Sequence, residues 1–452
     1  MSATLERGLN AFRNFLNAPA ASFFASCVHC GLCAESCLFY TESKDPRMAP
    51  IHKLEPMRRL WEREFTLLGR IQAILGLLPE VTDAELASWS ELVFDTCTLC
   101  GRCSMVCPVG NDLVYMIRRM REGMAASGHA PADLVGATRR NLEKGSAMGV
   151  TIDTLMAQIR HQEAELGVEI PLDREGVDYM VLLSSMEIVQ FPEYIGAVAR
   201  IFKQAGVTWT ISTQAFEATN GGIQIGVPDI ARRIVMRTVE VAERLKIKTV
   251  ICPECGHGFR ALRWEGEDLI GRKYGFQVQH ILEVLDELRA QGRLPLDKNL
   301  DDRPLTYHDP CQIVRRGGVI EAPRNLLKQV ASDFREMADH GTMNWCCGGG
   351  GGVSTLERAE PWRILAFKRK KEQIETLGVH TLVTACANCR MVIEEDLDKY
   401  AMDIEVVGLT ELVAEHLLPQ ESREGIPREG GERKLPPSYP FENHSDRQEQ
   451  LP

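Results

Sequence analysis

The sequence predicts a multidomain α + α/β protein, and three observations carry that expectation. Two cysteine runs of identical spacing lie in the first quarter of the chain, within segments of helical periodicity. From Val177 the pattern changes to short apolar runs alternating with amphipathic stretches, which indicates strands and helices around a mainly parallel sheet. From Leu305 the same plan occurs again, so the α/β part reads as an internal duplication into two pseudo-symmetric units.

In order, 1–22 reads as helix, with Leu5, Leu9, Phe12 and Leu16 on one side. The sixty or so residues between the cysteine runs are rich in Leu, Glu and Arg at helical spacing. Within them, Leu67, Leu68, Ile71, Ile74, Leu75 and Leu78 form a wide apolar stripe over 65–78. It reads either as a core helix or as a docking surface for a membrane or electron-donor subunit. Helical periodicity continues from Asp112 to Leu166, and 167–176 is a linker. Strands are expected at 179–183, 207–211, 248–251, 305–308 and 381–384, and helices at 192–205, 230–245, 323–330 and 361–377. Past Leu418 the chain loses periodicity, and Pro, Gly, Glu and Arg dominate. The resulting divisions are 1–125, 126–176 (a helical linker), 177–295, 296–418, and a disordered tail at 419–452.

A formal charge of −11 over 452 residues argues against a nucleic-acid partner, which calls for a basic surface. Fifteen cysteines in a long chain without a signal peptide, gathered in metal-type clusters, point to a reducing, cytoplasmic compartment. No run of about 18 apolar residues is present to span a bilayer.

Cys27, Cys30, Cys33 and Cys37 are spaced C-x2-C-x2-C-x3-C, and Cys97, Cys100, Cys103 and Cys107 repeat that spacing, followed by Pro108. This is the bacterial-ferredoxin spacing for [4Fe–4S] clusters, in which the fourth cysteine of each run ligates the other cluster. The expected sets are Cys27, Cys30, Cys33 with Cys107, and Cys97, Cys100, Cys103 with Cys37, holding two cubane [4Fe–4S] clusters. Leu38 stands where a proline often follows; proline is not a ligand, so the expectation is unaffected. The wide helical insert between the runs resembles the α-helical ferredoxin module of succinate dehydrogenase-type and heterodisulfide reductase-type electron carriers.

Five more cysteines lie in the second α/β unit: Cys311, the Cys346-Cys347 pair before a run of glycines, and Cys386 with Cys389. Each falls at an expected strand end or in the Gly-rich loop, where ligand groups gather in open α/β sheets. Gly348 to Gly352 would let backbone approach a cofactor closely. The run lacks the Lys-Ser/Thr ending of a P-loop and the strand–turn–helix context of a dinucleotide site. The order Cys311, Cys346-Cys347-Gly348, Cys386-x-x-Cys389 resembles the cysteine-rich CCG domain of the B and D subunits of heterodisulfide reductase. With the ferredoxin module in one chain, the sequence is most similar to the heterodisulfide reductase D subunit and DsrK-like iron–sulfur proteins. That resemblance implies one complete CCG unit, with the five cysteines holding a non-cubane [4Fe–4S] cluster, preceded by a degenerate CCG unit. In the latter, Thr219-Asn220-Gly221 stands in place of the Cys-Cys-Gly motif, the first cysteine position falls near Ser184, and only Cys252 and Cys255 remain.

Cys252 and Cys255 admit three readings: a redox-active C-x-x-C, part of a zinc site with His257, or a packed remnant of the duplication. His308, just before Asp309-Pro310-Cys311, is a candidate hydrogen-bond or proton donor at the cluster, or a strand-end cap. Arg315 and Arg316 read as a solvated pair or a site for an anionic sulfur substrate. The Lys368-Arg369-Lys370-Lys371 run reads as a solvated face or a docking patch for an acidic carrier.

The function expected is coupling of one-electron transfer through two cubane clusters to thiol–disulfide or related sulfur chemistry at the CCG-bound cluster. The chain carries no flavin, nicotinamide or C-x-x-C-H haem fingerprint. A membrane cytochrome b-type or flavoprotein subunit would exchange electrons with it, and a small thiol, disulfide or sulfur-carrier protein would be the sulfur partner. The chain would then lie in the cytoplasm, or on the inner membrane face through a partner. The alternatives are a pure electron relay of a flavin-dependent glycolate, lactate or glycerol-3-phosphate dehydrogenase type, and a structural zinc protein.

Overall fold

The computed structural model describes residues 2–300 and 302–418; the expected tail at 419–452 lies outside them. The amino-terminal part is helical. Ala3–Phe15 packs along Leu113–Ala126, burying Leu5, Leu9 and Phe12 against Ile117, Met120 and Met124. Asp112 starts the second of these helices, its carboxylate accepting from the Val114 and Tyr115 amides at 3.0 and 3.2 Å.

The α/β part holds two small parallel sheets. In the first, β1 (Tyr179–Val181), β2 (Trp209–Thr210), β3 (Thr249–Cys252) and β4 (Gln277–His280) run in the order β2-β1-β3-β4. In the second, β5 (Leu305–His308), β6 (Thr381–Thr384) and β7 (Glu405–Gly408) run in the order β5-β6-β7. A parallel bridge from Leu305 to Phe334 adds a fourth segment beside β5, so the second unit repeats the strand order of the first. Strands β3, β5 and β6 are buried from end to end and read clearly in the sequence. The edge strands β4 and β7 alternate exposed and buried residues, and sequence periodicity overlooked both. One hydrophobic core runs through both units, from Met180 and Ile251 to Tyr307 and Leu382.

The 65–78 stripe is neither one helix nor core. Glu55–Phe65 ends at Thr66, whose hydroxyl accepts from the Gly69 amide at 3.0 Å and starts Leu67–Ile74. Leu67 is 79% exposed and Ile74 85%, and Leu68, Ile71, Leu75 and Leu77 are also exposed. Among the described residues, no helix is long and apolar enough to cross a membrane.

Candidate iron–sulfur and thiol sites

The repeated cysteine spacing gives a repeated backbone. His29 and Gly31 lie at φ 52° and 83°, and Leu99 and Gly101 at φ 56° and 83°. These left-handed residues curl each run before a one-turn helix, Leu32–Glu35 or Arg102–Met105. The glycines make the second left-handed step without a Cβ penalty. Cys27, Cys30, Cys33 and Cys107 line one cavity, together with Val28, Ile51 and Val109. Cys37, Cys97, Cys100 and Cys103 line a second, closed by Phe39, Lys53 and Ile117. Each fourth cysteine therefore crosses to the other run's cavity.

The first cavity reaches the surface: Cys30 and its neighbours Val28 and Val109 are exposed. The second lies deeper. Burial pushes the Cys37 and Cys103 thiols up, and the nearby Lys53 ammonium draws Cys37 back. A tetrahedral zinc with Zn–S of about 2.3 Å needs thiols roughly 3.8 Å apart. Among the described residues, the one group of three metal-capable donors within 4.8 Å of one another is His308, Cys347 and Cys389. The ferredoxin-type thiols stand wider than a single ion requires, and their number and chemistry suit clusters.

In the second α/β unit, β5 ends at His308 and leads through Asp309-Pro310 to Cys311. β6 ends at Thr384, and Cys386 precedes the helix Ala387–Lys399, which carries Cys389 in its first turn. Adjacent parallel strands thus deliver three of the thiols to one sheet edge. The loop after Gly341–Met343 supplies Cys346 and Cys347. All five cysteines are buried. Cys311 Sγ and Cys346 Sγ are 3.8 Å apart, and Cys346 Sγ is 3.4 Å from Thr98 Oγ1. Hydrogen bonds from Cys100 and Cys311 hold the Cys346 thiol down, and those from Cys346 and Cys389 do the same for Cys347. Cys386, bonded by Cys389 and by the Cys389, Gly256 and Asn388 amides, is lowered to about 7. Five convergent thiols, several held toward the thiolate, are a donor set that fits a metal–sulfur group.

His308 stands beside Cys347 and Cys389 with neither ring nitrogen hydrogen-bonded. Burial keeps its pKa well below the usual histidine range, so the ring is neutral. The sequence reading missed Lys370. It is 1% exposed, on the inner face of Glu360–Glu375, and its Nζ donates to Met337 Sδ at 3.4 Å. The signal was present: Arg363, Ala366, Phe367, Lys370, Gln373 and Ile374 fall at helical three- and four-residue intervals and are all buried.

Arg315 is not a solvated surface residue either. It donates to the Cys100 carbonyl at 3.0 Å, to Thr342 O at 2.5 Å and to Asn344 Oδ1 at 2.6 Å. Gln312 reaches Leu99 O at 2.8 Å, and Arg102 reaches Met343 O at 3.0 Å. The second ferredoxin-type run is therefore locked against the five-thiol loops. The glycine run serves this contact: a Cβ on Gly351 would lie 2.9 Å from the Thr98 carbonyl carbon. The close neighbour it admits is protein backbone, where the sequence had suggested a cofactor. Buried Arg121 ties the parts together, donating to Val93 O at 3.0 Å, Cys97 O at 2.8 Å, Gln224 O at 2.8 Å and Gly351 O at 2.6 Å.

In the first unit, Cys252 is wholly buried and Cys255 accepts from the Gly258 amide at 3.4 Å. Burial pushes both thiols up, the opposite of the lowering a redox-active pair requires. His257 Nε2 bonds the Asn220 carbonyl at 2.7 Å, and no three-donor group forms around it among the described residues. Where the second unit has Cys311 and Cys346-Cys347, the first has a polar network: the Ser185 amide donates to Glu217 at 3.1 Å, and Asn220 Oδ1 accepts from Ile223. The Cys252–Cys255 loop instead supports its counterpart, the Ala387 amide donating to Glu254 O at 2.8 Å.

A helical module with two four-thiol cavities, joined to an α/β unit with five buried thiols, defines an iron–sulfur protein. Comparison agrees: the "4Fe-4S dicluster domain" description matches 24–111, and "Cysteine-rich domain" (CCG) matches 305–394. Two relatives span most of the chain. An Hdr-like menaquinol oxidoreductase iron-sulfur subunit 2 of Archaeoglobus fulgidus is 27% identical, covering 88% of this chain and 80% of its own. The D subunit of the dihydromethanophenazine:CoB–CoM heterodisulfide reductase of Methanosarcina barkeri is 26% identical, covering 87% and 93%. The EtfAB:quinone oxidoreductase of Syntrophomonas wolfei is 25% identical over 82% of this chain and 54% of its own. The chain is thus an iron–sulfur electron-transfer protein related to the heterodisulfide reductase D subunit.

Proposed function

We propose that this chain passes electrons between a partner subunit and the five-cysteine site, where a sulfur–sulfur bond is cleaved or formed. The observation that carries this is the contact between the two thiol systems: Cys346 Sγ lies 3.4 Å from Thr98 Oγ1 inside the second ferredoxin-type run, and Arg315 and Gln312, beside Cys311, donate to the Cys100 and Leu99 carbonyls at 3.0 and 2.8 Å. Bound [4Fe–4S] clusters supply one-electron steps, two of them cubane and the one at the five cysteines non-cubane. Cys27, Cys30, Cys33 and Cys107 would hold the outer cubane, at an exposed rim suited to exchange with a membrane cytochrome b-type or flavoprotein subunit. Cys37, Cys97, Cys100 and Cys103 would hold the inner one, and Cys311, Cys346, Cys347, Cys386 and Cys389 the third. The balanced reaction is R–S–S–R′ plus two electrons and two protons giving R–SH and R′–SH, with electrons supplied or removed by the partner. Neutral His308 is placed to donate a hydrogen bond to sulfur and so to steady a departing thiolate, with the two protons taken up from solvent. Cys252, buried, and Cys255, half-buried, act through the loop that supports Cys386.

The test is chemical analysis with turnover on protein purified without oxygen. The parent should contain about twelve irons per chain, at four per cluster. Reduced by a one-electron dye, it should cleave disulfides from a panel of small and protein-bound substrates. Cys346→Ser should keep about eight irons and lose disulfide cleavage. A parent that cleaves no disulfide, or a C346S protein that cleaves them at the parental rate, would leave only electron relay.

A further inference from the structure

Lys370 is a buried ammonium with no carboxylate bonded to it among the described residues. Within them its Nζ donates only to Met337 Sδ, a weak acceptor, at 3.4 Å. Asp309, a carboxylate whose charge acts on it, is committed elsewhere. Both its oxygens accept from Arg324, at 2.9 and 3.0 Å, and one also accepts from the Gly341 amide at 2.6 Å. Leaving a charge buried and unpaired is costly, so buried lysines are ordinarily paired with an anion. The buried face of its helix lies against the loop that carries Cys346 and Cys347: a Cβ on Gly348 would sit 3.2 Å from Arg363, and Gln373 and Trp345 both donate to Asp339 at 2.8 Å. Lys370, between Arg363 and Gln373, therefore faces thiols whose charge acts on it, those of Cys346, Cys347 and Cys389. His308, grouped with Cys347 and Cys389, is neutral and has no hydrogen-bond partner among the described residues, so it brings no charge to those sulfurs. The helix also fixes the lysine stem, since Phe367 and Ile374, one turn to either side, are buried in the core.

We propose that Lys370 is a positioning residue for the five-cysteine site: its ammonium is the counter-charge, and the hydrogen-bond donor, for anionic sulfur held there. This rests on the reading that a metal–sulfur group occupies the five cysteines. A fixed positive charge beside that group favours its more reduced, more negative state. Removing the charge lowers the midpoint potential of that centre alone, because the two ferredoxin-type cavities are lined by other residues, with Lys53 the lysine at the inner one.

The experiment is a redox titration followed by electron paramagnetic resonance, on holoprotein purified without oxygen, for the parent, Lys370→Met, Lys370→Gln and Lys370→Arg. K370M and K370Q should make reduction of the third centre at least tenfold less favourable, a fall of about 59 mV for one electron. The two cubane midpoints should not move, and K370R should return the third centre toward the parental value. Loss of the third centre from both neutral variants but not from K370R, with both cubanes retained, would equally show that the site requires the charge. A third centre with the parental midpoint and spectrum in K370M or K370Q would overturn the assignment. A parent showing two centres and no third would overturn the reading beneath it, and that result is distinct because it appears before any substitution.

Discussion

Arg121→Met isolates the joint between the ferredoxin-type module and the α/β units. The guanidinium donates to five carbonyls: Val93, Phe94 and Cys97 in the module, Gln224 in the first unit and Gly351 in the second. Hydrogen bonds to a charged group contribute about 1.5–3 kcal/mol each, so five set an upper limit of roughly 8–15 kcal/mol. Against this stands the desolvation of the guanidinium, which burial already holds down to about 10, and which methionine of similar length removes. Asp95 does not offset that cost by direct pairing, since it bonds Arg358 at 2.7 Å. The net loss should resemble breaking a buried charged network from one side, about 3–5 kcal/mol, and lower Tm by about 3–5 °C for a chain of this length. Thermal unfolding of the holoprotein without oxygen measures this, and R121K, which keeps the charge but fewer donors, should fall between. Rapid-freeze paramagnetic resonance adds a functional readout, since slackening Cys97 O from Gly351 O should slow electron arrival at the five-cysteine site. An R121M protein within about 1 kcal/mol of the parent, with unchanged arrival rate, would refute the role of this arginine as the joint.

Three other outcomes follow from the geometry. Cys107→Ser should remove the same cubane signal as Cys30→Ser, and Cys37→Ser the same as Cys100→Ser; a grouping by run, with C107S matching C100S, would contradict the crossing. Replacing Leu68, Ile71 and Leu75 by serine should change stability by no more than about 0.5 kcal/mol each, because all three are exposed. It should also suppress concentration-dependent self-association in light scattering. Glu254, raised to about 8 by burial, accepts at Oε1 from the Thr410 amide and hydroxyl, both at 2.7 Å. Its folded pKa lies above its unfolded value, so between about pH 4.5 and 8 the unfolded chain binds fewer protons and parental stability falls as pH rises. Glu254→Gln can keep both bonds, and chemical denaturation across that range should show it gaining on the parent by at most about 1.36 kcal/mol per pH unit.

The thiol sets were legible because ligand spacing is a local property of the chain. The crossing of Cys37 and Cys107 follows from motif arithmetic, and the structure places both in the opposite run's cavity. A buried strand such as β3, reading Thr-Val-Ile-Cys, announces itself as an apolar run, whereas β4, reading Gln-Val-Gln-His, does not. Side chains whose roles depend on distant partners were not legible. Lys370 sits in a run of four cations, and only the buried face of its helix separates it from its solvated neighbours. Arg315 reads as half of a surface pair until the Cys100 carbonyl is seen against it. The 65–78 stripe shows the converse: amphipathic spacing fixes which side is apolar, while only the packing shows that nothing in the described chain covers it.

The central claim is that electrons reaching Cys100 meet a sulfur-binding centre at Cys346. Electron paramagnetic resonance of the oxidised protein, purified without oxygen, with and without added thiols, tests it most directly. The account predicts a paramagnetic signal in the oxidised state that thiols perturb and that Cys346→Ser abolishes. Oxidised protein that is silent, with only two cubane signals appearing on reduction, would contradict it.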